Sequence, residues 1–250
     1  VGEGVAGQVG THRPPPGLDQ RRPLGVAHVE LGRAIAPGRE MDDQVAERII
    51  AEGRDLICKL GVEVNNESAR SLLGDHGARV DQTARRVFFT DDLVDRALKT
   101  APASFKLYDS HGHEAVDLSG WNVNYTPGSA AINILDSNTG KIRKPSTGDY
   151  VRYARLMSAM EHIASQSTAM IPSDVPPAIS DSYRLYLSLI CCAKPVVTGA
   201  FTIESFAIMK DLQITVRGSK AKLAAKPLTI FSCCPTSPIK WSNVTTQNVI

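Results

Sequence analysis

The sequence predicts an α/β protein whose second half consists of repeated strand–helix units. One phrase occurs twice, in residues 194–201 and 226–238, where Lys-Pro opens an apolar run of strand length that closes on small polar residues. Proline ends a preceding helix, and apolar runs of this length are typical of buried strands. The candidate strands recur at intervals of roughly 30 to 40 residues, as expected for a strand, a helix and their loops.

Composition and charge argue against several classes of partner. The 42% hydrophobic and 22% charged content is ordinary for a globular protein, and a net charge of +2 gives no reason to expect nucleic acid or an acidic membrane. No run reaches the roughly 18 apolar residues of a membrane span, and the start lacks the layout of a secretory signal, so we expect a cytoplasmic location. Two pairs of adjacent cysteines fit reduced thiols better than a disulfide framework.

The chain divides into three segments by composition. Residues 1–40 hold 8 of the 19 glycines and 5 of the 15 prolines, so we expect this segment to be disordered or non-native. Residues 41–121 are predicted to form an α-rich entry region with a small hairpin, and residues 122–250 form the repeating part. Met41 is either the natural start of the protein or the residue that follows a flexible N-terminal arm.

The entry region contains mainly helical signals. Residues 42–60 place apolar side chains near helical spacing after an acidic first turn, and Gly61 then ends the helix. Shorter elements follow, predicted from apolar runs and turn residues. They are a helix at 66–73, a strand at 86–89, a helix at 91–99, and hairpin strands within 105–121 that turn at Gly112 and Gly120.

The repeating part alternates strands with helices, which indicates either a doubly wound sheet or a (β/α)8 TIM barrel. About four units cannot close an eight-stranded barrel, so the sheet is open or the barrel is partial. An end at Ile250 without a helix-stop signal favours the first half of a truncated barrel. The predicted strands are 124–135, 163–171, 195–201 and 228–234, and the predicted helices are 147–160, 180–193 and 203–216.

The loops at the carboxyl ends of these strands form the candidate site, because barrel enzymes carry their active sites there. The last predicted strand runs into Cys-Cys-Pro-Thr-Ser-Pro, in which two prolines fix the backbone. Cys234 and Thr236 of this loop, with Thr198 at the end of the preceding strand, are candidate substrate-binding residues. A rigid, well-packed turn is the alternative interpretation of the loop.

Two other polar positions are candidates with competing explanations. Gly128 lies in Thr-Pro-Gly-Ser-Ala, whose backbone N–H groups could cradle an anion, although a tight turn or bulge explains the segment better. Gln166 is polar within a strand-like run and faces either the pocket or a structural hydrogen-bond partner. The acids Asp181 and Glu204 are explained by first turns of helices, without a catalytic role.

No motif identifies the reaction. The chain has no Cys-x-x-Cys pair, and adjacent cysteines on a strand point to opposite faces, so we predict no metal site. Neither a Ser-His-Asp arrangement, nor paired carboxylates, nor a nucleophile elbow is recognisable. The residues alone leave the reaction undetermined.

Several runs resemble the trimethylamine methyltransferase family. Residues 226–242, with the specific Cys-Cys-Pro-Thr-Ser-Pro motif, carry most of the resemblance, and residues 194–201 and 126–136 support it. Upstream, Gly-Val-Glu-Val and Gly-Ala-Arg-Val-Asp are similar to the family's helical N-terminal region. The resemblance spans residues 42–250, and the first 40 residues show none.

This resemblance implies a TIM-barrel enzyme that moves a methyl group from a methylated amine, trimethylamine or a quaternary amine such as glycine betaine, to a corrinoid protein. The cobalt corrinoid belongs to that partner, and the chain itself binds no cofactor directly. Aromatic faces often hold such cations, so Tyr125, Phe201 and Phe231 become candidates, although each residue type is more often plain core. When full length, such an enzyme is expected to be a homo-oligomer without nucleic-acid or membrane partners.

Two departures limit what the resemblance implies. The archetypal members carry pyrrolysine in the second half of the barrel, and that half lies outside these 250 residues. A chain that stops at Ile250 is also expected to lack half of the pocket and the remaining strands, so we expect this chain alone to be inactive. The alternative hypothesis is an inactive fragment, or a non-catalytic half-barrel that acts only through assembly, since an open parallel edge invites pairing.

Overall fold

The computed structural model describes residues 42–247 and 249–250, so the predicted N-terminal segment, residues 1–40, lies outside the described residues. The helices are α1 (Asp43–Asp55), α2 (Glu67–Asp75), α3 (Asp91–Thr100), α4 (Thr147–Ala159), α5 (Ser180–Cys191), α6 (Ile203–Arg217), α7 (Lys220–Ala225) and α8 (Asn243–Gln247). A π-helical turn, Leu56–Leu60, continues α1, and a 3-10 helix, Pro177–Ile179, leads into α5. Within the described part of the chain, no helix is long and apolar enough to cross a membrane.

Short strands alternate with these helices, and this confirms the predicted mixed α/β class. They are β1 (Val62–Val64), β2 (Arg79–Asp81), β3 (Arg86–Phe88), β4 (Lys106–Tyr108), β5 (Glu114–Asp117), β6 (Ile134–Leu135), β7 (Ile142–Arg143), β8 (Gln166–Ser167), β9 (Val196–Thr198), β10 (Thr229–Phe231) and β11 (Lys240–Trp241). One sheet has the order β11-β1-β3-β2, and another has the order β10-β9-β8. The pairs β4–β5 and β6–β7 are antiparallel hairpins.

Polar side chains cap the starts of several helices. Asn66, Thr90, Ser146 and Thr202 each accept a hydrogen bond from a backbone N–H three residues on, which satisfies a donor that the first helical turn leaves free. Ser146 and Asp149 complete a reciprocal capping box. Each capping hydrogen bond involves only residues at the start of its own helix, so the start can be read from the local sequence. The predicted starts of α4 and α6 are confirmed.

The four-stranded sheet packs on α2 and α3 to form the core of the entry region. Val62, Val64 and Val87 are almost completely buried and cluster with Ala69 of α2 and Leu93 of α3. The alternation along β1 places both of its valines on one face, because successive strand residues point to opposite sides. The two valines of β1 therefore place the apolar face of the sheet against α2 and α3.

Strand β11 joins this first sheet although it comes near the end of the chain. Glu63 and Val64 of β1 pair in parallel with Lys240 and Trp241, and the Lys240 Nζ lies 2.7 Å from the Glu63 Oε1. This hydrogen bond lowers the pKa of Glu63. The Trp241 ring packs edge-on against Phe89 at 6.0 Å between centroids. The segment after β10 therefore connects the entry region to the parallel sheet.

Strands β8, β9 and β10 form the parallel sheet that the repeated phrase predicts. β10 pairs with β9 and β9 with β8, all in parallel, while α5 connects β8 to β9, and α6 and α7 connect β9 to β10. Leu185, Val196 and Met209 are fully buried between this sheet and its helices. The predicted strands at 195–201 and 228–234 are confirmed in their central three residues, the predicted helix at 203–216 is confirmed as α6, and α7 was not predicted.

The predicted continuous strand at 124–135 is wrong. Only Tyr125 and Ala131 form isolated parallel bridges, to Ile163 and Met170, and the end of the segment pairs instead in the β6–β7 hairpin. Ala130 has a φ of 58°, which extended backbone cannot accommodate. The segment therefore runs alongside β8 without forming a strand of its own.

The β4–β5 hairpin covers the amino-terminal end of the parallel sheet. The Tyr108 N–H donates to the carbonyl of Pro227, which immediately precedes β10. The guanidinium of Arg217, at the end of α6, donates to the carbonyls of Tyr108, Asp109 and Lys226 at 2.9, 2.6 and 2.8 Å. Because these contacts occupy one end of the strands, the opposite, carboxyl end is left for a site.

An ion-pair network fixes the β6–β7 hairpin to the start of α4. Arg143 donates to Asp136 at 2.7 Å and to both carboxylate oxygens of Asp149 at 2.7 and 2.9 Å. The Arg143 hydrogen bonds, with further backbone donors, lower the pKa of Asp136 to about 2 and hold the pKa of Asp149 well below its usual range. Both carboxylates are thus stabilised in their ionised form in the folded protein.

We expect Arg143→Met to destabilise the protein at neutral pH and to lose this effect in acid. A carboxyl group whose folded pKa is depressed contributes stability above its unfolded pKa, and the contribution is lost as the pH falls from roughly 4 through the folded value. Urea unfolding of wild type and variant across this range measures the difference. The matched control is Arg48→Met, which removes an exposed ion pair with Glu52, and its free energy of unfolding is expected to stay close to that of the wild type at every pH. If the free energy of unfolding lost in Arg143→Met does not become smaller in acid, the prediction is wrong.

Candidate functional site

The three parallel strands end at one edge, where small polar side chains collect. Thr168, one residue beyond β8, and Thr198, the last residue of β9, are buried with their hydroxyl oxygens 3.1 Å apart. Ser232 follows β10, and its backbone N–H donates to the Thr198 carbonyl at 2.7 Å. Because parallel strands point the same way, the loops that follow them converge at this edge.

A cavity of about 520 Å³ opens among these loops. Its volume lies within the roughly 300–1,000 Å³ of typical small-molecule sites. The walls combine hydroxyls, two adjacent thiols, small side chains and two large groups, Arg184 and Phe201. The hydroxyls include those of Ser129, Thr168, Thr198, Ser232, Ser242 and Thr245.

Four of the predicted site residues line this cavity. Thr198 contributes from the end of β9 and Phe201 from the loop after it, while Cys234 and Thr236 come from the loop after β10. The last two side chains are exposed, and Thr236 is held by paired backbone hydrogen bonds with Lys240 at 2.8 and 2.9 Å. The Cys-Cys-Pro-Thr-Ser-Pro loop is therefore both a structured turn and a cavity wall, so its two competing interpretations apply together.

The other four predicted residues lie outside the cavity lining, and among them Phe231 packs edge-on against Phe206 with 4.8 Å between ring centroids. Tyr125 bridges to Ile163 before the start of β8, and the Gly128 carbonyl accepts a 2.6 Å hydrogen bond from the hydroxyl of Ser167. The Gln166 side chain is completely buried, and its amide donates at 3.0 to 3.2 Å to the carbonyls of Ser188, Cys192 and Lys194. Gln166 thus ties α5 and the loop after it to β8.

A buried ion pair that the sequence analysis did not identify stands at the back of the cavity. Arg184 of α5 is 1% exposed, and its Nη2 donates to the Oδ1 of Asp181 at 2.7 Å. Its Nη1 donates to the Thr168 carbonyl at 3.1 Å. The second carboxylate oxygen of Asp181 accepts from the backbone N–H groups of Phe201 and Thr202. The pair therefore links α5 to the loops after both β8 and β9.

Phe201 separates this cavity from a second, larger one. Its ring centroid lies 5.0 Å from the Cζ of Arg184, and its side chain also lines a neighbouring cavity of about 730 Å³. Ile132, Ile171 and Pro172 give the second cavity a mainly apolar wall. Phe201 is 56% exposed, so its ring is accessible to a ligand in either cavity.

The thiol of Cys233 is not activated as a nucleophile. Burial raises the pKa of Cys233 above its ordinary value, and the neighbouring Cys234 adds a smaller effect in the same direction. A thiol with a raised pKa is protonated at neutral pH, and the thiolate is the reactive form. Cys233 therefore contributes a polarisable cavity wall.

A comparison with protein families connects this geometry to known enzymes. The family model described as trimethylamine methyltransferase (MTTB) matches residues 19–250. The chain belongs to the trimethylamine methyltransferase family. The resemblance carried by the Cys-Cys-Pro-Thr-Ser-Pro motif is thereby confirmed, but the match begins earlier than Asp42, where the sequence analysis placed its start.

Curated relatives in several organisms are similar to the chain. A trimethylamine methyltransferase of Desulfitobacterium hafniense (strain DSM 10664 / DCB-2) is 25% identical over 228 residues, which cover 90% of this chain and 45% of the relative. A glycine betaine methyltransferase of D. hafniense (strain Y51) is 26% identical over 201 residues, covering 80% and 41%. An L-carnitine:corrinoid methyltransferase of Eubacterium limosum is 29% identical over 121 residues, covering 48% and 24%. The chain thus spans less than half the length of these relatives.

Within this trimethylamine methyltransferase family member, sequence reasoning missed the Arg184–Asp181 pair and the cavity hydroxyls of Ser242 and Thr245. The spacing of three residues between Asp181 and Arg184 places both on one side of α5, which is a signal for an ion pair. From the sequence alone, the position of Asp181 is explained by the first turn of a helix. The signal was incomplete because spacing does not show which side of the helix is buried.

Proposed function

We propose that the protein transfers a methyl group from a methylated amine to the Co(I) of a corrinoid that a partner protein carries. The observation that carries this proposal is the cavity at the carboxyl ends of β8, β9 and β10, in a chain of the trimethylamine methyltransferase family. The relatives are named for trimethylamine, glycine betaine and L-carnitine, and these names supply the substrate class. The parallel sheet is, in this proposal, part of a (β/α)8 barrel in a cytoplasmic homo-oligomer.

The proposed reaction breaks a carbon–nitrogen bond without moving a proton. Cobalt supplies the electron pair of the new bond to the methyl carbon, and the electron pair of the carbon–nitrogen bond stays on nitrogen. A quaternary ammonium therefore leaves as a neutral tertiary amine, and trimethylamine, which reacts as its ammonium ion, leaves as neutral dimethylamine. Such a transfer needs no general acid or base, which agrees with a cavity whose described lining contains no His, Asp or Glu.

The residues of the chain contribute binding and orientation in this proposal. The face of Phe201 attracts a cationic ammonium group through the ring quadrupole. The hydroxyl-bearing walls and the rigid loop after β10 restrict how the amine lies, so that one methyl carbon points out of the cavity toward the acceptor. Holding two reactants in line lowers the barrier because the entropy of orientation is lost on binding. Of the predicted site residues, the proposal keeps the four that line the cavity.

We expect the protein from its complete gene to methylate a Co(I) corrinoid protein with at least one methylated amine. The complete gene is needed because the chain spans less than half of its relatives. Spectroscopy of the corrinoid, with trimethylamine, glycine betaine and L-carnitine as separate donors, measures the transfer. Phe201→Leu is expected to lower kcat/KM about tenfold, since a desolvated cation–π contact is worth about 1–2 kcal/mol.

Phe105→Leu is the matched control for this assay, because Phe105 is a partly exposed phenylalanine beside the β4–β5 hairpin. Its kcat/KM is expected to equal that of the wild type. The proposal is wrong if no methylated amine transfers a methyl group to cobalt. If kcat/KM falls equally in Phe201→Leu and Phe105→Leu, Phe201 does not contribute to substrate binding.

A further inference from the structure

One wall of the first cavity comes from a helix outside the parallel sheet. Ser242, Val244 and Thr245 line this cavity of about 520 Å³, and they lie in α8 and at the residue before it. We call these three residues the α8 wall. Helix α8 has five residues, and isolated helices shorter than about 12–15 residues are marginal in water. Contacts with other parts of the chain must therefore fix the position of this wall.

The contact between the α8 wall and the loop after β10 is weak. The Thr245 hydroxyl donates to the Cys234 carbonyl at 3.4 Å, whereas O–H···O hydrogen bonds usually span roughly 2.5–3.0 Å. Thr245 also bonds to the hydroxyl oxygen of Ser242, at 2.9 Å from its own hydroxyl and at 3.1 Å from its backbone N–H. Those two hydrogen bonds lie within the wall, so they do not attach it to the neighbouring loop.

Asn66 of the entry region makes the stronger contacts with α8. Its amide nitrogen Nδ2 donates to the Oδ1 of Asn243 at 2.8 Å and to the Oε1 of Gln247 at 2.9 Å. These two acceptors are four residues apart, so they lie on one side of α8. The Oδ1 of Asn66 accepts from the Ala69 N–H at 2.8 Å, and the residue is 4% exposed. One buried side chain thus caps α2 and holds α8.

Strand β11 attaches the same segment to the entry region just before the wall begins. The Asn65 N–H donates to the Trp241 carbonyl at 3.0 Å, and Lys240 pairs with Glu63 at 2.7 Å. The chain is therefore bound to β1 up to Trp241 and to the start of α2 through α8. The α8 wall belongs mechanically to the entry region, although it faces the cavity at the carboxyl ends of β9 and β10.

We propose that Asn66 is a positioning residue, which fixes one wall of the cavity from the entry region. Asn66 lies outside the described lining of the cavity, so it acts through Asn243 and Gln247 on the hydroxyls of Ser242 and Thr245. For catalysis the inference rests on the proposed function, because the α8 wall then restricts how the methylated amine lies. The attachment of α8 to Asn66 is measurable without any turnover.

Asn66→Ser tests this role, because serine is also a preferred N-cap residue but lacks the amide that reaches α8. We expect KM to rise and kcat to stay within about twofold of the wild type. A ligand that needs the docked wall binds with an affinity reduced by the docked fraction, and saturating ligand restores that fraction. A merely structural loss of folded protein would lower the apparent kcat and leave KM unchanged.

Hydrogen exchange of the protein from its complete gene, read by mass spectrometry, reports the attachment itself. The Thr246 N–H donates to the Ser242 carbonyl within α8, and the Val196 N–H donates to the Leu228 carbonyl in the parallel sheet. In Asn66→Ser we expect the α8 amides to exchange about tenfold faster, since two hydrogen bonds that oppose local opening are lost. Exchange of the β9 amides is expected to stay at the wild-type rate.

Thr90→Ala is the matched control, because it removes the N-cap of α3 in the same entry region. Its α8 exchange and its KM are expected to equal those of the wild type. A second comparison uses Asn243→Ala together with Gln247→Ala, which removes both acceptors on α8. Adding Asn66→Ser to that pair is expected to raise KM no further, because residues that act through one contact are not additive.

The outcomes separate this inference from the proposed function. Unchanged α8 exchange or unchanged KM in Asn66→Ser, equal acceleration of α8 and β9, or a full further rise of KM in the triple variant would each overturn the role of Asn66. Methyl transfer to cobalt by the wild type would still support the proposed function in those cases. If no methylated amine methylates cobalt, the proposed function is wrong, and faster exchange confined to α8 still supports Asn66 as the residue that positions the wall.

Discussion

Asp181→Ala is expected to lower the free energy of unfolding by about 3–5 kcal/mol, the cost of breaking a buried ion pair by removing one partner. Arg184 would keep its charge while 98% of its side chain stays away from water. The backbone N–H groups of Phe201 and Thr202 would lose their acceptor as well. Desolvation of the remaining charge, rather than the attraction of the pair, dominates this effect.

Urea unfolding of Asp181→Ala and of the control Glu52→Ala measures the difference. Glu52 pairs with Arg48 on α1, where both side chains are more than half exposed, so its removal is expected to change stability by less than about 0.5 kcal/mol. A loss of less than about 1 kcal/mol in Asp181→Ala would contradict the prediction. Such a result would mean that water reaches Arg184 once Asp181 is gone.

Features encoded over a few neighbouring residues were predictable from the sequence. Helices α4 and α6 begin after Ser146 and Thr202, whose capping hydrogen bonds involve only the next three residues. Strands β9 and β10 follow Lys-Pro within short apolar runs. Cavity residues such as Cys234 were found because they follow a parallel strand, which places them at the carboxyl edge whatever their chemistry.

Features that depend on distant parts of the chain were not predictable. Strand β11 exists because Trp241 packs on Phe89, more than a hundred residues earlier, and its two residues carry no strand signal of their own. At β11, tertiary contacts override local propensity. The segment beside β8 is different, because Thr-Pro-Gly-Ser-Ala lies within it and the left-handed conformation of Ala130 interrupts it locally.

Burial is the information that the sequence lacked for the site. Asp149 and Arg152 in α4 have the same spacing as Asp181 and Arg184 in α5, but the side chain of Arg152 is 72% exposed and that of Arg184 is 2% exposed. The first arginine lies on the solvent side of its helix, and the second lies behind the cavity. Identical spacing therefore accompanies an exposed arginine in one helix and a buried arginine in the next.

Gly61→Ala is expected to destabilise the protein by at least about 3 kcal/mol, since the residue has a conformation that only glycine adopts readily. Its φ of 71° and ψ of 176° turn the chain from the π-helical turn into β1. A β-carbon added there would lie 2.6 Å from the Val87 carbonyl oxygen and 2.9 Å from the Phe88 ring. Val87 is fully buried in the sheet, so its backbone cannot move aside without disturbing the core.

Gly120→Ala separates the steric part of this effect from the conformational part. Gly120 also has a positive φ, 52°, but no atom lies within 4 Å of an added β-carbon. Its substitution is expected to cost about 1 kcal/mol, the penalty for a left-handed alanine alone. Urea unfolding of both variants gives the two losses side by side. If the two losses of stability are equal, β3 moves aside for the extra carbon, and the close contact between Gly61 and β3 does not fix the entry into β1. If Gly61→Ala loses far more stability than Gly120→Ala, this contact fixes the position of the first sheet, including the pairing of β11 that connects it to the cavity.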